Sequence, residues 1–323
     1  MDIFEELTQK IKGKNIKIVF PEGEEERILK AVVRLKEENL ITPIVLGKVS
    51  DVEKTAQKIN KSLDGIKIID PNTADDFDEM VEKFLEVRKG KNTKEDALRL
   101  LKDVNYYGTM LVKTNKANGM VSGAVHSTGD TVRPALQIIK TKPGVSRTSG
   151  AMIMLGKDKR YVFADVAINI TLNENELAEV AIETAKTAKL FGIDPKVALL
   201  SFSTKGSAKH ELSTKVANAT NIAKKLAPDL QLDGELQFDA AFVPSVGKQK
   251  AKDSNVAGYA NVFIFPDLQS GNIGYKIAQR LGGLQAIGPI LQGLNSPVSD
   301  LSRGCNEEDV YKIAIITAAQ SLN

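Results

Sequence analysis

The sequence predicts an α/β protein whose sheets are mostly parallel or mixed. Short apolar runs that stop at proline or glycine alternate with longer segments in which apolar residues recur every three or four positions. The first apolar run is Ile16–Phe20, and the first helical segment is Glu24–Glu38. Strands and helices that alternate at this spacing are typical of βαβ units, whose strands pair in parallel.

The same alternation continues through the first half of the chain. A segment with one apolar side favours a helix, and a short apolar run closed by a turn residue favours a strand. The elements predicted in this way are the strands Pro43–Leu46, Ile66–Ile69 and Gly119–Ala124 and the helices Val52–Ile59, Thr73–Arg88, Thr93–Leu101 and Val104–Thr114.

A change of composition at Lys142–Gly150, which is rich in Pro, Gly and Ser, places a domain boundary near residue 146. Two strands follow, Ala151–Leu155 and Tyr161–Ala164, and only a short charged turn separates them. This arrangement predicts a hairpin, so we expect the second sheet to be mixed.

The clearest helix of the second half is Asn173–Phe191, where Asn173 and Glu176 have the spacing of a capping pair. Gly271 and Gly274 predict a tight turn that opens a helix just after a strand, where α/β proteins bind ligands. The other predicted elements are the strands Val197–Phe202, Leu236–Val243 and Val262–Phe265, a long helix that ends at Leu226, and the terminal helix Asp309–Leu322.

Composition excludes several classes of protein. The net charge of +3 is too small to indicate nucleic acid or an anionic membrane as a partner. A single cysteine, Cys305, excludes an internal disulfide and a cysteine-based zinc site, and two histidines argue against a histidine metal site. The first residues do not form a signal peptide, and no apolar run approaches the ~18 residues of a membrane span. We therefore expect a cytoplasmic protein without a metal site.

One dense group of polar residues follows the predicted strand Gly119–Ala124. Ser127 and Thr128 can cap the next helix, whose N-terminus suits an anion, and Arg133 adds a cation one turn later. This pattern predicts a phosphate site. A capped helix with nothing bound explains the same residues, and both interpretations stay open.

A second group is Leu301–Lys312, where Ser302, Arg303 and Asp309 lie around Gly304. A hydroxyl and a guanidinium can stabilise an oxyanion, and a nearby carboxylate can accept a proton, which together favour acyl transfer. The competing interpretation is a loop and an acidic helix start that only complements the helix dipole. Arg88, at a helix C-terminus, also suits the dipole.

Four segments taken in order resemble the phosphate acetyltransferase, or phosphotransacetylase, family. They are SGAVHSTGDTVRPALQ (Ser122–Gln137), GELQFDAA (Gly234–Ala241), FPDLQSGNIGYKIAQRLGG (Phe265–Gly283) and PVSDLSRG (Pro297–Gly304). The resemblance runs over essentially the whole chain. It implies two α/β domains with an active-site cleft between them, and a C-terminal segment that returns to the first domain. The domains are then residues 1–145 plus 298–323 and residues 146–297.

The resemblance also implies an activity, which is the reversible conversion of acetyl phosphate and coenzyme A to acetyl-CoA and phosphate by direct attack of the thiolate. Coenzyme A is a substrate, no cofactor is permanently bound, and the protein is a homodimer without a nucleic-acid or membrane partner. Matched by motif, Ser302, Arg303 and Asp309 occupy the catalytic positions. Arg88 and Arg133 match arginines that bind coenzyme A, and Ser127 and Thr128 match the loop near the phosphate.

Reference acidities constrain that mechanism. A thiol has a pKa of ~8.5 and an aspartate ~3.9, so direct proton transfer between them is uphill by roughly 6 kcal/mol. Asp309 needs burial to act as the base, and we expect Arg303 to face the acyl oxygen and phosphate more than Asp309.

Three alternatives remain at this point. One is a module that binds coenzyme A or acyl phosphates without turnover. Another is a dehydrogenase, against which the missing dinucleotide motif counts. The third is a phosphate butyryltransferase or another short-chain phosphate acyltransferase.

Overall fold

The computed structural model describes residues 3–322, and within them the chain forms two compact units. The first unit comprises the described residues up to Lys140 together with those from Leu294 onward, and the second runs from Thr141 to Gly293. Both units contain helices and a sheet, which confirms the predicted α/β class. Elements are numbered along the chain, and each unit is described by itself.

A parallel sheet of five strands forms the centre of the first unit. Its order is β11-β4-β1-β2-β3, and each neighbouring pair is parallel. The strands are β1 (Lys17–Phe20), β2 (Thr42–Leu46), β3 (Lys67–Ile69), β4 (Gly119–Ser122) and β11 (Val298–Asp300). The predicted alternation of strands and helices is therefore confirmed, whereas the three residues of β11 were too short a run to predict.

Helices cover the sheet of the first unit. The first long one after β1 buries Ile28, Leu29 and Val32 on one side and packs against the last helix. The helices are α1 (Ile3–Ile11), α2 (Glu26–Glu37), α3 (Val49–Lys58), α4 (Phe77–Arg88), α5 (Lys94–Leu100), α6 (Val104–Lys113), α7 (Thr128–Pro134) and α13 (Glu307–Gln320). A π-helical turn, Ala135–Ile139, continues α7.

The second unit has a mixed sheet with the order β10-β5-β6-β9-β7-β8. Its strands are β5 (Ser149–Leu155), β6 (Arg160–Ala164), β7 (Val197–Leu200), β8 (Leu232–Leu236), β9 (Val262–Ile264) and β10 (Gln285–Gln292). The strands β5 and β6 form an antiparallel hairpin, which confirms that prediction. The strands β6, β9, β7 and β8 pair in parallel.

The helices of the second unit include the predicted capping pair. The Asn173 side chain accepts a 2.9 Å hydrogen bond from the Glu176 amide, and the Glu176 carboxylate accepts one from the Asn173 amide. The helices are α8 (Glu174–Leu190), α9 (Glu211–Leu226), α10 (Phe238–Phe242), α11 (Pro244–Lys250) and α12 (Leu268–Arg280).

The predicted strand Leu236–Val243 is wrong. Only Leu236 is in a strand, as the last residue of β8, and Phe238–Phe242 is the short helix α10. The rings of Phe238 and Phe242 stack with their centroids 5.5 Å apart, a contact that one helical turn produces. A short apolar run fits the periodicity of a helix as well as that of a strand, so the sequence pattern does not distinguish them.

The predicted turn at Gly271 and Gly274 is also wrong, because both glycines lie inside α12. A Cβ at Gly271 would come within 2.2 Å of the Asp165 carbonyl oxygen, and one at Gly274 within 2.9 Å of the Phe265 ring. These glycines therefore allow the helix to pack closely and do not form a ligand-binding turn.

Over residues 3–322, no helix combines the length and the apolar composition that crossing a membrane requires. In the same part of the chain, no three His, Cys, Asp or Glu side chains are grouped closely enough to hold a metal ion.

Candidate active site

The carboxyl edge of the first unit's sheet gathers most of the residues that the sequence singled out. The strands β1, β4 and β11 are parallel neighbours, so the loops that follow Phe20, Ser122 and Asp300 leave the same edge. The chain places β2 and β3 on one side of β1 and then β4 on the other. The strand order thus reverses between β1 and β4, and such a point is where open α/β sheets bind ligands.

A buried carboxylate shapes the loop after β4. Glu22 follows β1, and its side chain is only 1% exposed. Its two oxygens accept hydrogen bonds from four consecutive backbone amides at 2.8–3.1 Å, those of Gly123, Ala124, Val125 and His126. His126 Nδ1 lies 2.8 Å from the same carboxylate. One side chain therefore fixes the backbone of the whole loop.

The charge of Glu22 is stabilised by these contacts. Burial alone would raise the pKa of Glu22, but the hydrogen bonds from His126 and the loop amides outweigh burial and lower it. The bond to Glu22 raises the pKa of His126, although burial opposes that shift. The pair thus favours an ionised Glu22 and a protonated His126.

Ser127 and Thr128 begin α7, and the structure gives them different partners. Ser127 is the N-cap, and its hydroxyl and amide both contact the Asp130 carboxylate, at 2.6 and 3.2 Å. Thr128 was expected to cap as well, but its hydroxyl instead donates a 2.7 Å bond to Asp300 Oδ2, at the end of β11. A carboxylate of the chain itself therefore already occupies the start of this helix.

Ser302 and Arg303 lie on the loop between β11 and α13, and both are exposed. Ser302 Oγ accepts a 3.2 Å bond from the Gly304 amide, and the Ser302 carbonyl accepts a 2.9 Å bond from the Cys305 amide. The loop thus turns at Gly304. Among the described residues, the Arg303 guanidinium has no hydrogen-bond or ion-pair partner, so it is available to an anion.

Asp309 lies in the first turn of α13, as the sequence predicted. Its Oδ2 accepts a 2.9 Å hydrogen bond from the Asn306 amide, and Asn306 Oδ1 accepts a 3.0 Å bond from the Asp309 amide. This capping box ties the carboxylate to the end of the Ser302–Arg303 loop. The Asp309 side chain is exposed within its own unit.

The two remaining arginines, Arg88 and Arg133, both exert an electrostatic effect on Tyr106. Arg88, at the end of α4, donates to Asn92 Oδ1 at 2.7 Å and to the Gln137 carbonyl at 3.1 Å. Arg133, in α7, is exposed. A Cβ atom at Gly129, which glycine lacks, would lie 4.0 Å from Arg133 Nη2 and 3.7 Å from Ser127 Oγ. Arg133 is therefore close to Ser127. Arg88 differs, because its guanidinium is already bonded to Asn92 and Gln137.

Two residues that hold this site together were missed by the sequence analysis, Glu22 and Arg27. Arg27 Nη1 donates to the carbonyl oxygens of Arg303 and Cys305, and Nη2 donates to that of Ala124. The available signal was a charged segment directly after the first strand, at the edge where α/β proteins carry their sites. The partners lie too far along the chain for any pattern to connect them.

The first unit is thus an α/β fold whose sheet edge presents an unpaired guanidinium, hydroxyl groups and a carboxylate, which suits anionic substrates. The family model described as "Phosphate acetyl/butaryl transferase" matches residues 2–318, and the chain belongs to that family.

Several named proteins are similar to this chain over nearly its whole length. The phosphate acetyltransferase of Bacillus subtilis (strain 168) is 60% identical over 321 residues, which cover 99% of each chain. A phosphotransacetylase structure from Streptococcus pyogenes superimposes with a TM-score of 0.98 at 63% identity, covering 99% of this chain and 98% of that one. The EutD phosphotransacetylase of Staphylococcus aureus gives a TM-score of 0.95 at 58% identity with the same coverage.

Proposed function

We propose that the protein catalyses the reversible transfer of an acetyl group between acetyl phosphate and coenzyme A. In the forward direction the thiolate sulfur bonds to the carbonyl carbon of acetyl phosphate, and the bond from that carbon to the phosphate oxygen breaks. The thiol proton goes to a base, and phosphate leaves. Support comes from relatives about 60% identical over 99% of the chain that carry the name phosphate acetyltransferase. The observation that carries the proposal is the exposed, unpaired Arg303 beside Ser302.

Ser302 and Arg303 are proposed to act on the acyl phosphate. The Ser302 hydroxyl would donate to the carbonyl oxygen as negative charge develops on it, which lowers the barrier to attack. The Arg303 guanidinium would bind the acyl oxygen and the phosphate, since a cation without a protein partner loses no ion pair when an anion arrives. Holding two anionic substrates in line provides much of the remaining acceleration.

Asp309 is proposed to receive the thiol proton, directly or by orienting the thiol. One of its oxygens already accepts the Asn306 amide. The carboxylate is exposed in its unit, so the burial that a direct base requires would have to come from bound coenzyme A. A base needs a free lone pair and reach to the thiol, and the second oxygen, Oδ1, has no bond that fixes it to Asn306. The base role and the orienting role differ in the rate that is lost on substitution.

The remaining cations and hydroxyls are proposed to bind the substrates. Arg88 and Arg133 would contact the phosphates of coenzyme A, because arginine forms strong charge-assisted bonds with phosphate. Ser127 and Thr128 would lie near the phosphate of acetyl phosphate. Coenzyme A enters as a substrate, and no further group is needed for the step.

The test compares acyl-CoA formation from acetyl, propionyl and butyryl phosphate at equal concentrations. The proposal expects the acetyl substrate to be converted with the highest kcat/KM. A preference for butyryl phosphate would replace the proposal with a butyryltransferase. Tight binding of coenzyme A without any acyl-CoA product would indicate a binding module.

A homodimer is also proposed. An apolar stripe on α12 supports it, because Ile273, Ile277 and Leu281 are spaced at helical intervals and are 56%, 52% and 85% exposed. Such a stripe suits a second copy of the chain. Sedimentation of the wild type should give the mass of two chains, and Ile277→Lys should give one. The variant Lys276→Ala, at an exposed position beside the stripe, should leave the mass unchanged.

The cytoplasm is the proposed location. Coenzyme A and acetyl phosphate are highly charged metabolites that do not cross a bilayer unaided, so an enzyme that uses both needs to share their compartment. Cell fractionation with an antibody against the protein tests this directly.

A further inference from the structure

Arg27 connects the two loops that carry the proposed site. It lies in the first turn of α2, and its side chain is 28% exposed. Nη1 donates to the Arg303 carbonyl at 2.9 Å and to the Cys305 carbonyl at 2.8 Å, and Nη2 donates to the Ala124 carbonyl at 3.0 Å. A single guanidinium thus contacts the loop after β11 and the loop after β4.

The guanidinium itself is held on a rigid element. Arg27 Nε donates a 2.8 Å bond to Glu25 Oε1, and the same oxygen accepts the Arg27 amide as the N-cap of α2. The helix behind it is anchored by buried residues such as Ile28 and Leu29, which are 0% exposed. The position of Arg27 is therefore fixed by the buried core of the first unit.

Glu22 and Arg27 bind complementary backbone groups of the loop after β4. Glu22 accepts the amide of Ala124 at 2.8 Å, and Arg27 donates to the carbonyl of the same residue. An acid binds N–H groups and a guanidinium binds C=O groups, so the two side chains together fix both polar atoms of Ala124. Both come from the segment directly after β1, which serves as a common frame for the two loops.

The Ser302–Arg303 loop depends on this frame because its own contacts are few. Within the loop, the amides of Gly304 and Cys305 donate hydrogen bonds to Ser302. The carbonyl oxygens of Arg303 and Cys305 both point to Arg27. Without Arg27, water would solvate these oxygens, and the loop would lose these two bonds to α2.

We infer that Arg27 is a positioning residue that holds the Ser302–Arg303 loop in register with the Ser127–Thr128 loop for the acyl transfer. The inference rests on the proposed function. Arg27 itself donates its bonds to backbone carbonyls, to Glu25 and, at 3.8 Å, to Cys305 Sγ, so it acts through the loops and not on the substrates. A misplacement of about 1 Å in a transfer site lowers the rate by on the order of a hundredfold.

The test compares Arg27→Ala with a matched variant, Arg34→Ala. Arg34 lies about two turns later on the same helix. It also ties α2 to the C-terminal segment, through a 2.7 Å ion pair with Glu308, but it touches neither site loop. We expect Arg27→Ala to lower kcat by about ten- to a hundredfold with the KM for coenzyme A changed less than about threefold. Arg34→Ala should lower the melting temperature and keep kcat within about twofold.

Two further measurements separate positioning from a general loss of structure. Guanidinium chloride at on the order of 20 mM, far below denaturing concentrations, should restore part of the kcat of Arg27→Ala, and methylammonium should not. Hydrogen exchange of the 301–306 backbone should be faster in Arg27→Ala and unchanged in Arg34→Ala. The exchange result does not require turnover, so it tests the positioning role even if the wild type forms no acetyl-CoA. A wild type that forms no acetyl-CoA would refute the proposed function alone.

Arg27→Ala with wild-type kcat and wild-type exchange would overturn the inference. An equal loss of kcat in Arg34→Ala would do the same, because any tie between α2 and the C-terminal segment would then suffice. If Arg27→Ala does not fold, Arg27→Lys keeps the charge but cannot form the three-carbonyl fork. It should fold and still lose kcat, and full activity in it would overturn the inference.

Discussion

Thr128 Oγ1 donates a 2.7 Å hydrogen bond to Oδ2 of Asp300, although the two residues are 172 positions apart. The bond joins the first residue of α7 to the last residue of β11. Asp300 is 5% exposed, and burial raises its pKa to about 6. The carboxyl group therefore changes charge at a pH where an exposed aspartate would stay ionised.

Replacing this group should change how the stability depends on pH. The folded state binds the Asp300 proton more tightly than the unfolded chain, whose pKa is near the reference value of 3.8. The wild type therefore loses stability as the pH rises from about 4 to about 6, and the loss is complete above that range. Asp300→Asn lacks this loss. Relative to the wild type, the free energy of unfolding of Asp300→Asn should therefore increase by up to about 3 kcal/mol between pH 4 and pH 7. Urea unfolding at several pH values measures it, and a difference independent of pH would contradict the assignment.

Arg133 should act mainly on the binding of coenzyme A. Because its guanidinium is exposed and has no hydrogen-bond or ion-pair partner among the described residues, Arg133→Ala should remove the proposed contact to the substrate and little else. The KM for coenzyme A should rise about tenfold or more, with a smaller fall in kcat. Arg88→Ala should raise the same KM and also lower the stability, since Arg88 holds the Gln137 carbonyl.

The control for both variants is Arg99→Ala, because Arg99 pairs with Asp96 on the surface of α5. Its steady-state kinetics should match the wild type. A collapse of kcat at fixed KM in Arg133→Ala would show that Arg133 acts on the chemical step.

Cys305 should be dispensable for the reaction. The thiol is buried, and burial raises its pKa above the usual value while Arg27 opposes the shift, so little thiolate is present at neutral pH. Cys305→Ala should keep most of the wild-type kcat and lose at most about 1–2 kcal/mol of stability through packing. Mass spectrometry of the enzyme with acetyl phosphate alone checks the point, and a stable acetyl group on Cys305 would refute direct transfer.

Asp309→Asn separates a base from a positioning residue. The asparagine side chain retains an oxygen that can accept the Asn306 amide, so the start of α13 should stay intact. The loss of a base should lower kcat on the order of a hundredfold, with little change in coenzyme A affinity. Raising the pH should restore part of the rate, because more free thiolate forms.

Glu307→Gln is the matched variant, since it removes an acid from the same helical turn, and it should leave kcat unchanged. A loss below about tenfold in Asp309→Asn with an unchanged pH profile would assign Asp309 to orienting the thiol.

Local patterns were sufficient for several features whose cause is local. The capping pair of Asn173 and Glu176, the hairpin after Gly150 and the position of Asp309 in the first helical turn are all set by residues within a few positions of each other. By contrast, β8 was missed because Asp233 and Glu235 lie in it and hide its apolar character. Asp233 is buried at the cost of desolvation, which its ion pairs with Lys205 and Lys224 offset.

The frame of the site could not be predicted for a different reason. Glu22 contacts a loop 101 to 104 positions away, and Arg27 contacts carbonyls 276 and 278 positions away. Only the order of strands in the sheet brings these groups together, and the pattern of a single sequence does not determine that order. The residues matched by motif could therefore be proposed from the sequence, whereas those that hold their loops could not.

The position of β11 in the chain has a consequence for biosynthesis. Ser302 and Arg303 follow every residue of the second unit, yet their loop belongs to the sheet of the first. While the chain is still on the ribosome, the Ser127–Thr128 loop and Arg133 are already synthesised, but the edge strand beside β4 and the loop after it are absent. A nascent chain can thus present the Ser127–Thr128 loop and Arg133 before it has Ser302 and Arg303, so the proposed site stays incomplete until the last strand has been inserted.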